Sequence, residues 1–253
     1  MNARNPDWND LAEALIEARR ASMPLDGARF EGALGSEADC YRVQSRVAEA
    51  FGPVGAFKTA QKPGQPQIMA PIFARDVHRS PVSLGPEAVR RIGVELEVGF
   101  LVTAALPDPE QPDFAERARD RVAAVPVLEI VDSRFADLDG APPLLRLADG
   151  QINGAIVVGP PRADWHDLDL TRVTARLELG GETVLDGPVS VPGGDAWETF
   201  ALFARLVGAH CGGLCEGQVV ITGSLNGMPF VERGTSARGF IDGLGPVEAD
   251  FPD

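Results

Sequence analysis

The chain has 253 residues, 44 % of them apolar and 24 % charged, with a formal net charge of −14. That apolar content closes a core in one large domain or two small ones and excludes disorder over most of the chain. The longest apolar stretches fall far short of the ~18 residues of a membrane-crossing helix. A chain this acidic, without a basic patch, repels phosphate backbones. Neither a membrane nor a nucleic acid is therefore expected as a partner. Glycine (28) and proline (21) are spread along the sequence and mark many turns between short strands. Three cysteines, Cys40, Cys211 and Cys215, are too few and too odd in number for a disulfide framework. The charged first twenty residues lack the apolar run of a signal peptide, so a cytoplasmic setting is expected.

The opening segment predicts a helix capped by Asn5, with Pro6 in its first position and an apolar face of Leu11, Leu15 and Ile16 with Ala12 and Ala18. A second helix starts at Ser36-Glu37-Ala38-Asp39, a capping-box pattern with Asp in place of the usual Glu. It runs through Tyr41, Val43 and Val47 and stops at Gly52-Pro53. Residues 1–53 thus read as a helical N-terminal part. Residues 54–253 read as a β-rich part continuous with it, with strands at Gly55–Thr59, Val94–Thr103, Val125–Val131, Ile152–Val158, Val173–Leu179 and Gln218–Thr222. Leu106–Arg121 reads as a loop and a short charged helix. Ala196–His210 reads as a helix with Phe200, Phe203, Leu206 and Val207 on one side. The fold class is α+β, a small helical part packed on mixed-to-antiparallel β-structure.

The informative strand is Gly93-Val94-Glu95-Leu96-Glu97-Val98-Gly99-Phe100. Val94, Leu96, Val98, Phe100 and Val102 share its apolar face, while Glu95 and Glu97 share the other, with Cα atoms about 6.5–7 Å apart. Alone, the two acids describe a solvent-facing strand surface. Glu129 is different. It lies in Ala124-Val125-Pro126-Val127-Leu128-Glu129-Ile130-Val131, where every neighbour on both faces is apolar, so the strand reads as covered on both sides. An ionised carboxylate there needs a partner, a proton or a cation. A salt bridge to Arg134, or an edge strand that returns the acid to water, would serve as well as a functional role.

Three glutamates on two strands, with no His or Cys beside them, form a hard oxygen donor set suited to Mg²⁺ or Mn²⁺ rather than zinc. Other features carry less. His210-Cys211 with Cys215 matches no zinc spacing and reads as a helix end with inert thiols. His78 and His166 stand among polar neighbours with nothing to mark them as bases. Gly180-Gly181 and Gly193-Gly194 lack phosphate-loop spacing and read as turns, and the tryptophans read as packing residues.

The Glu95-Leu96-Glu97 strand, followed by Pro126-Val127-Leu128-Glu129-Ile130-Val131-Asp132-Ser133-Arg134, resembles the 2-keto-4-pentenoate hydratase and 2-oxo-3-enedioate decarboxylase group of the fumarylacetoacetate hydrolase superfamily. Further stretches agree in order and spacing: Tyr41-Arg42-Val43-Gln44, Gly55-Ala56-Phe57-Lys58, Ala148-Asp149 with Asn153 to Gly159, and Gly217 to Ser224. The resemblance covers about Tyr41 to Phe251. It implies a fumarylacetoacetate hydrolase C-terminal-like mixed β-structure whose metal ligands are Glu95, Glu97 and Glu129, with Mg²⁺ or Mn²⁺ as cofactor. It implies a metal-dependent lyase of aromatic catabolism that adds water to a short 2-hydroxydienoate or 2-oxo-enoate, or, as the alternative, decarboxylates a 2-oxo-3-enedioate.

By the same resemblance Lys58 is the active-site lysine, binding the substrate carboxylate or relaying a proton. Asp149, Thr222, Gly223 and Ser224 fall where substrate binds. A homo-oligomer is expected, with a related hydratase or decarboxylase as a further partner. An acylpyruvate-type C–C hydrolase would need a histidine near the metal motifs, and a catalytically silent partner subunit would bind metal without turnover. Two departures imply a shifted substrate. Asp149-Gly150-Gln151-Ile152-Asn153-Gly154 stands where hydratases carry Asp-Asn-Ala-Ser-Ser-Gly, and Glu232-Arg233-Gly234 replaces a Pro-Gly-Asp.

Overall fold

The computed structural model describes residues 5–61, 64 and 66–253. Helix α1 spans Trp8–Ala21 and α2 spans Glu37–Phe51. Asp7, not Asn5, caps α1. Its carboxylate accepts from the N–H groups of Asn9 and Asp10 at 2.9 and 3.1 Å, and the Asp10 carboxylate accepts from the Asp7 N–H at 2.9 Å. Pro6 therefore lies outside the helix rather than in its first turn. Ser36 occupies the N-cap of α2 as expected, but its hydroxyl donates to the Asp39 side chain and accepts from no backbone N–H of the first turn. Gly52, at φ 92°, ends α2 where the sequence places the stop.

The strands are β1 (Val54–Ala60), β2 (Ile68–Phe73), β3 (Val77–Arg79), β4 (Val82–Ser83), β5 (Ile92–Val102), β6 (Val122–Val131) and β7 (Asn153–Val158). They continue with β8 (Arg172–Leu179), β9 (Glu182–Ser190), β10 (Val219–Ser224), β11 (Phe230–Val231), β12 (Thr235–Ile241) and β13 (Gly245–Phe251). Three further helices are α3 (Phe114–Ala118), α4 (Pro143–Ala148) and α5 (Ala196–Leu206). Helix α5 stops short of the expected His210, because Gly208 turns left-handed at φ 50° and the chain passes into a separate 3-10 turn, His210–Gly212.

One sheet runs β2-β1-β10-β5-β6-β7-β3, with β11 added to β5, and the other runs β4-β13-β12-β8-β9. The first sheet must curl. Its two edge strands, β2 and β3, are joined only by the 3-10 turn Ala74–Asp76, so its edges come together. Gly55 on β1 permits this closure, since a Cβ there would lie 2.6 Å from the Ala74 Cα. Ala56, Ile72, Val125, Val127, Ile156, Val219 and Ile221 fill the inside of the roll.

The opposite face of the roll carries Val94, Leu96, Val98 and Phe100 from β5 and Ala124, Leu128 and Ile130 from β6. The second sheet packs there so closely that a Cβ on Gly239 would lie 2.9 Å from Leu96 Cδ1. Helix α5 covers the same face, with Trp197 and Phe200 against Phe100 and Phe203 against Phe57. Helices α1 and α2 form a cluster of their own through Leu11, Leu15, Val43 and Val47. Phe73, Phe135 and the α4 leucines Leu145 and Leu147 complete it, so the helical layer draws on residues well beyond position 53. No described helix is long and apolar enough to cross a membrane.

Candidate metal centre

Strands β5 and β6 are antiparallel, and their register sets Glu95 opposite Glu129 and Glu97 opposite Val127. The side-chain alternation that sends Val94 and Leu96 to the core between the sheets sends all three glutamates into the roll. There Glu95, Glu97 and Glu129 each offer an oxygen within 4.8 Å of the other two. Glu97 and Glu129 are buried, and Glu95 is partly so. Strand β6 is buried along its whole length, and β6 lies between β5 and β7, so Glu129 has no route back to water along an edge.

Lys58 enters from β1. Its Nζ donates to Glu129 Oε1 at 2.5 Å and to the Gln151 carbonyl at 3.2 Å. Asn153 Nδ2 donates to the same Oε1 at 2.8 Å. Glu129 Oε2 is enclosed and has no hydrogen-bond partner among the described residues. The backbone N–H of Gly223 donates to Glu97 Oε2 at 2.7 Å. Three carboxylates and one ammonium, all ionised, would leave two excess negative charges in a low-dielectric pocket. A divalent cation would neutralise that excess, and the orphaned Oε2 would offer it a free oxygen. The donor set is all carboxylate, which fits a hard cation.

Without a cation, protons offset the charge. Burial first, then the Glu129 charge, pushes the Glu95 carboxyl up to about 7, against the weaker opposing pull of Lys58 and Ser224. Burial, followed by Glu129 and Glu95, holds Glu97 well above the ordinary carboxylate range. Burial alone would lower the Lys58 pKa. Glu129, Glu95 and Glu97 outweigh it and leave the ammonium above its usual value. Only two of the chain's 23 basic residues are lysines, Lys58 and Lys62. A compact ammonium serves this position, where the planar guanidinium used almost everywhere else would not fit the same contacts.

Arg134 does not pair with Glu129. It binds Asp149 instead, with Nε at 2.5 Å, its backbone N–H at 2.9 Å and Nη2 on the Asp149 carbonyl at 2.8 Å. Ser133 Oγ completes the Asp149 shell at 3.2 Å. Asp149 is therefore engaged behind the site, and its carboxylate is not among the groups that face the glutamate trio. Thr222 likewise turns inward, its hydroxyl donating to the Val98 carbonyl at 2.8 Å. Gly223 contacts the Glu97 carboxylate directly. The Ser224 hydroxyl, which donates to the Gly227 carbonyl at 2.8 Å, also contacts Glu95.

Two contributors escape a reading of the sequence, the Asn153 side chain and the Gln151 carbonyl. Gln151 and Ile152 both adopt left-handed backbone, at φ 52° and 59°, which costs on the order of 1–3 kcal/mol each for non-glycine residues. That bend aims the Gln151 carbonyl at Lys58. Arg134 clamps the segment from behind through Asp149 and through Nη1 on the Asn153 carbonyl at 2.8 Å. A polar residue opening an otherwise apolar strand was the available signal for Asn153.

The histidines and thiols stay apart from this centre. His210 Nε2 pairs with Gln44 Oε1 at 2.8 Å, and His166 lies against Arg119 and Asp120. Burial pushes the Cys40 thiol up to about 12 and the Cys211 thiol to about 11, consistent with inert sulfur.

A family model, the fumarylacetoacetate (FAA) hydrolase C-terminal domain, matches residues 41–251. The 2-keto-4-pentenoate hydratase of Paraburkholderia xenovorans (strain LB400) is 32 % identical, covering 96 % of this chain and 94 % of that protein. Among solved structures, 4-oxalocrotonate decarboxylase from Pseudomonas putida G7, complexed with magnesium and adipate, superposes with a TM-score of 0.81 at 19 % identity, covering 96 % of this chain and 97 % of that one. Fumarylpyruvate hydrolase from Pseudomonas aeruginosa, in complex with Mn²⁺ and pyruvate, superposes with a TM-score of 0.56 at 19 % identity over 79 % of this chain and 90 % of that one.

Proposed function

The chain belongs to the fumarylacetoacetate hydrolase C-terminal family, and from that premise we propose that it is a Mg²⁺- or Mn²⁺-dependent lyase that hydrates a short 2-hydroxydienoate. The observation that carries this reading is the buried Glu129 Oε2, set beside Glu95 and Glu97 and without a hydrogen-bond donor among the described residues. Glu95, Glu97 and Glu129 would hold the ion. Its chemistry when bound is Lewis-acid stabilisation of the negative charge that develops on the C1 carboxylate and C2 oxygen of a 2-oxo acid.

The protein's own groups do the rest. Lys58 Nζ, within 2.5 Å of Glu129, offers a proton and a positive charge at the anionic end of the substrate. Asn153 and Lys58 together occupy Glu129 Oε1, so the carboxylate is held in one orientation. The Gly223 N–H does the same for Glu97. The apolar wall of Val125, Val127 and Ile221 keeps bulk water away from the charged cluster. Asp149 and Thr222 support the substrate side of the site indirectly, by fixing the 149–154 segment and the end of β10, with Ser224 at the rim beside Glu95.

In the reaction the enol proton of the 2-hydroxydienoate is lost, a proton is added to the far end of the conjugated chain, and water adds at C4 of the resulting 2-oxo-3-enoate. The product is a 4-hydroxy-2-oxo acid. Decarboxylation of a 2-oxo-3-enedioate uses the same charge stabilisation at C2, and the structural likeness to a decarboxylase keeps it as the second reading. The 32 % identity to a hydratase over 96 % of this chain, against 25 % to a 4-oxalocrotonate decarboxylase of Pseudomonas putida over 62 %, favours hydration. The deciding experiment incubates protein and Mg²⁺ separately with 2-hydroxypentadienoate and with 2-oxo-3-hexenedioate and follows products by NMR. A 4-hydroxy product from the first supports hydration. CO₂ release from the second, with the first untouched, replaces it with decarboxylation.

A further inference from the structure

Away from the glutamate trio, a cleft of about 560 Å³ opens between the end of α1, the Ala74–Asp76 turn and the Asp132–Arg134 segment. Arg19, Arg75, Arg90 and Arg134 line it. Most of their charge is already answered. Arg134 is bound to Asp149 and the Asn153 carbonyl, and Arg90 Nη2 donates to the Ser133 carbonyl at 2.5 Å. Arg75 lies over the Phe51 ring with its Nε 3.6 Å from Asp76.

Arg19 is the exception. Its side chain is 12 % exposed, its ion pair with Asp149 is long at 3.8 Å, and its Nε is enclosed with no hydrogen-bond partner among the described residues. The Phe73 ring beneath it, 5.3 Å from the guanidinium carbon, offers no acceptor oxygen. A buried guanidinium with unmet donors calls for an oxyanion, and its planar fork matches a carboxylate. Burial, then the neighbouring Arg134 charge, pull the Arg19 pKa down to about 9, with Asp149 and Asp76 opposing more weakly. It stays cationic at neutral pH, and Asp149, its ion-pair partner, stands beyond hydrogen-bond distance.

The acids lining the cleft bound the charge of the ligand. Asp132 accepts from the backbone N–H groups of Arg90 and Arg91 at 3.0 and 3.3 Å. With Asp76, Glu87 and Asp149, the partner of Arg134, it balances the four arginines, so no cation is left over for a second negative charge on the ligand. We propose that this cleft is a binding site for a small, singly charged carboxylate, gripped by the Arg19 guanidinium. The ligand would lie behind the 149–154 segment, since a Cβ at Gly150 would sit 3.7 Å from Arg19 Nη2. It is thus separate from the metal centre.

The test titrates propionate into the full chain in EDTA and follows the arginine Nε–Hε signals by NMR. Propionate has one carboxylate and no 2-oxo group with which to chelate a metal. One signal, absent from Arg19→Gln, should move saturably with a Kd of about 1 mM or tighter. Arg19→Lys keeps the charge and loses the fork, so it should weaken binding about tenfold or more. It also preserves the test should Arg19→Gln fail to fold. Glu129→Gln should leave the constant unchanged. Absence of saturable movement, equal affinity in Arg19→Lys, or loss of binding in Glu129→Gln would each overturn the site. Inorganic phosphate binding more tightly than propionate would overturn the singly charged ligand.

Discussion

Arg134 and Asp149 form a closed pair, with side-chain Nε and backbone N–H of one residue on the carboxylate of the other at 2.5 and 2.9 Å. Both side chains are buried, at 9 % and 0 % exposure. Removing one partner strands the other charge, and Asp149→Asn should cost about 3–5 kcal/mol of folding free energy. Urea denaturation measures this. A loss under about 1 kcal/mol would mean that the pair does not clamp the segment carrying Gln151 and Asn153.

Glu129→Gln keeps the shape of the side chain and removes the ligand charge. Mn²⁺ affinity, read by calorimetry, should fall by about 100-fold or more, with turnover lost. Chelation with EDTA should likewise abolish turnover and Mg²⁺ or Mn²⁺ should restore it. Undiminished activity after exhaustive chelation would end the metal-dependent reading.

The Glu95 carboxyl titrates near 7 when folded and near 4.5 in its ordinary state. Because the folded value is the higher one, the metal-free protein carries this contribution in full below about pH 4.5 and loses it as pH rises through about 7. Glu97, also raised, acts in the same direction. The melting temperature of EDTA-treated protein should therefore fall between about pH 5.5 and about pH 8, a loss on the order of a few kcal/mol that saturating Mg²⁺ removes. A melting temperature that climbs over this interval contradicts the buried acidic cluster.

Lys58 sits 2.5 Å from Glu129 but contributes no ligand atom. Lys58→Met should reduce kcat/KM by about 100-fold or more, in the range of lost general acid–base assistance. Metal affinity should stay equal or tighten, because a repelling charge has gone. Lys58→Arg should not restore turnover, since a guanidinium is a poor proton relay. A collapse of metal affinity in Lys58→Met would instead make the ammonium a structural prop of the ligand set.

Alternation along β5 put Glu95 and Glu97 on one face, and an apolar run marked Glu129 as an acid in need of a partner, because strand periodicity and burial cost are local properties; the family resemblance joined the three. They could not say which cation answers Glu129. Arg134 is the nearer basic residue in sequence, yet the ladder carries Lys58 across from β1 and leaves Arg134 to Asp149. The helical layer shows the same division. The faces of α1 and α2 are written in their spacing, but α4, Phe73 and Phe135 join them only through long-range packing. So it is with Gln151 and Asn153, whose roles come from a left-handed bend that no residue type there announces. Sequence alone determined that the acid on β6 must be compensated, since a buried charge is costly wherever the chain runs. Tertiary structure decided how that charge is compensated, because that depends on which distant strands become neighbours when the sheet curls.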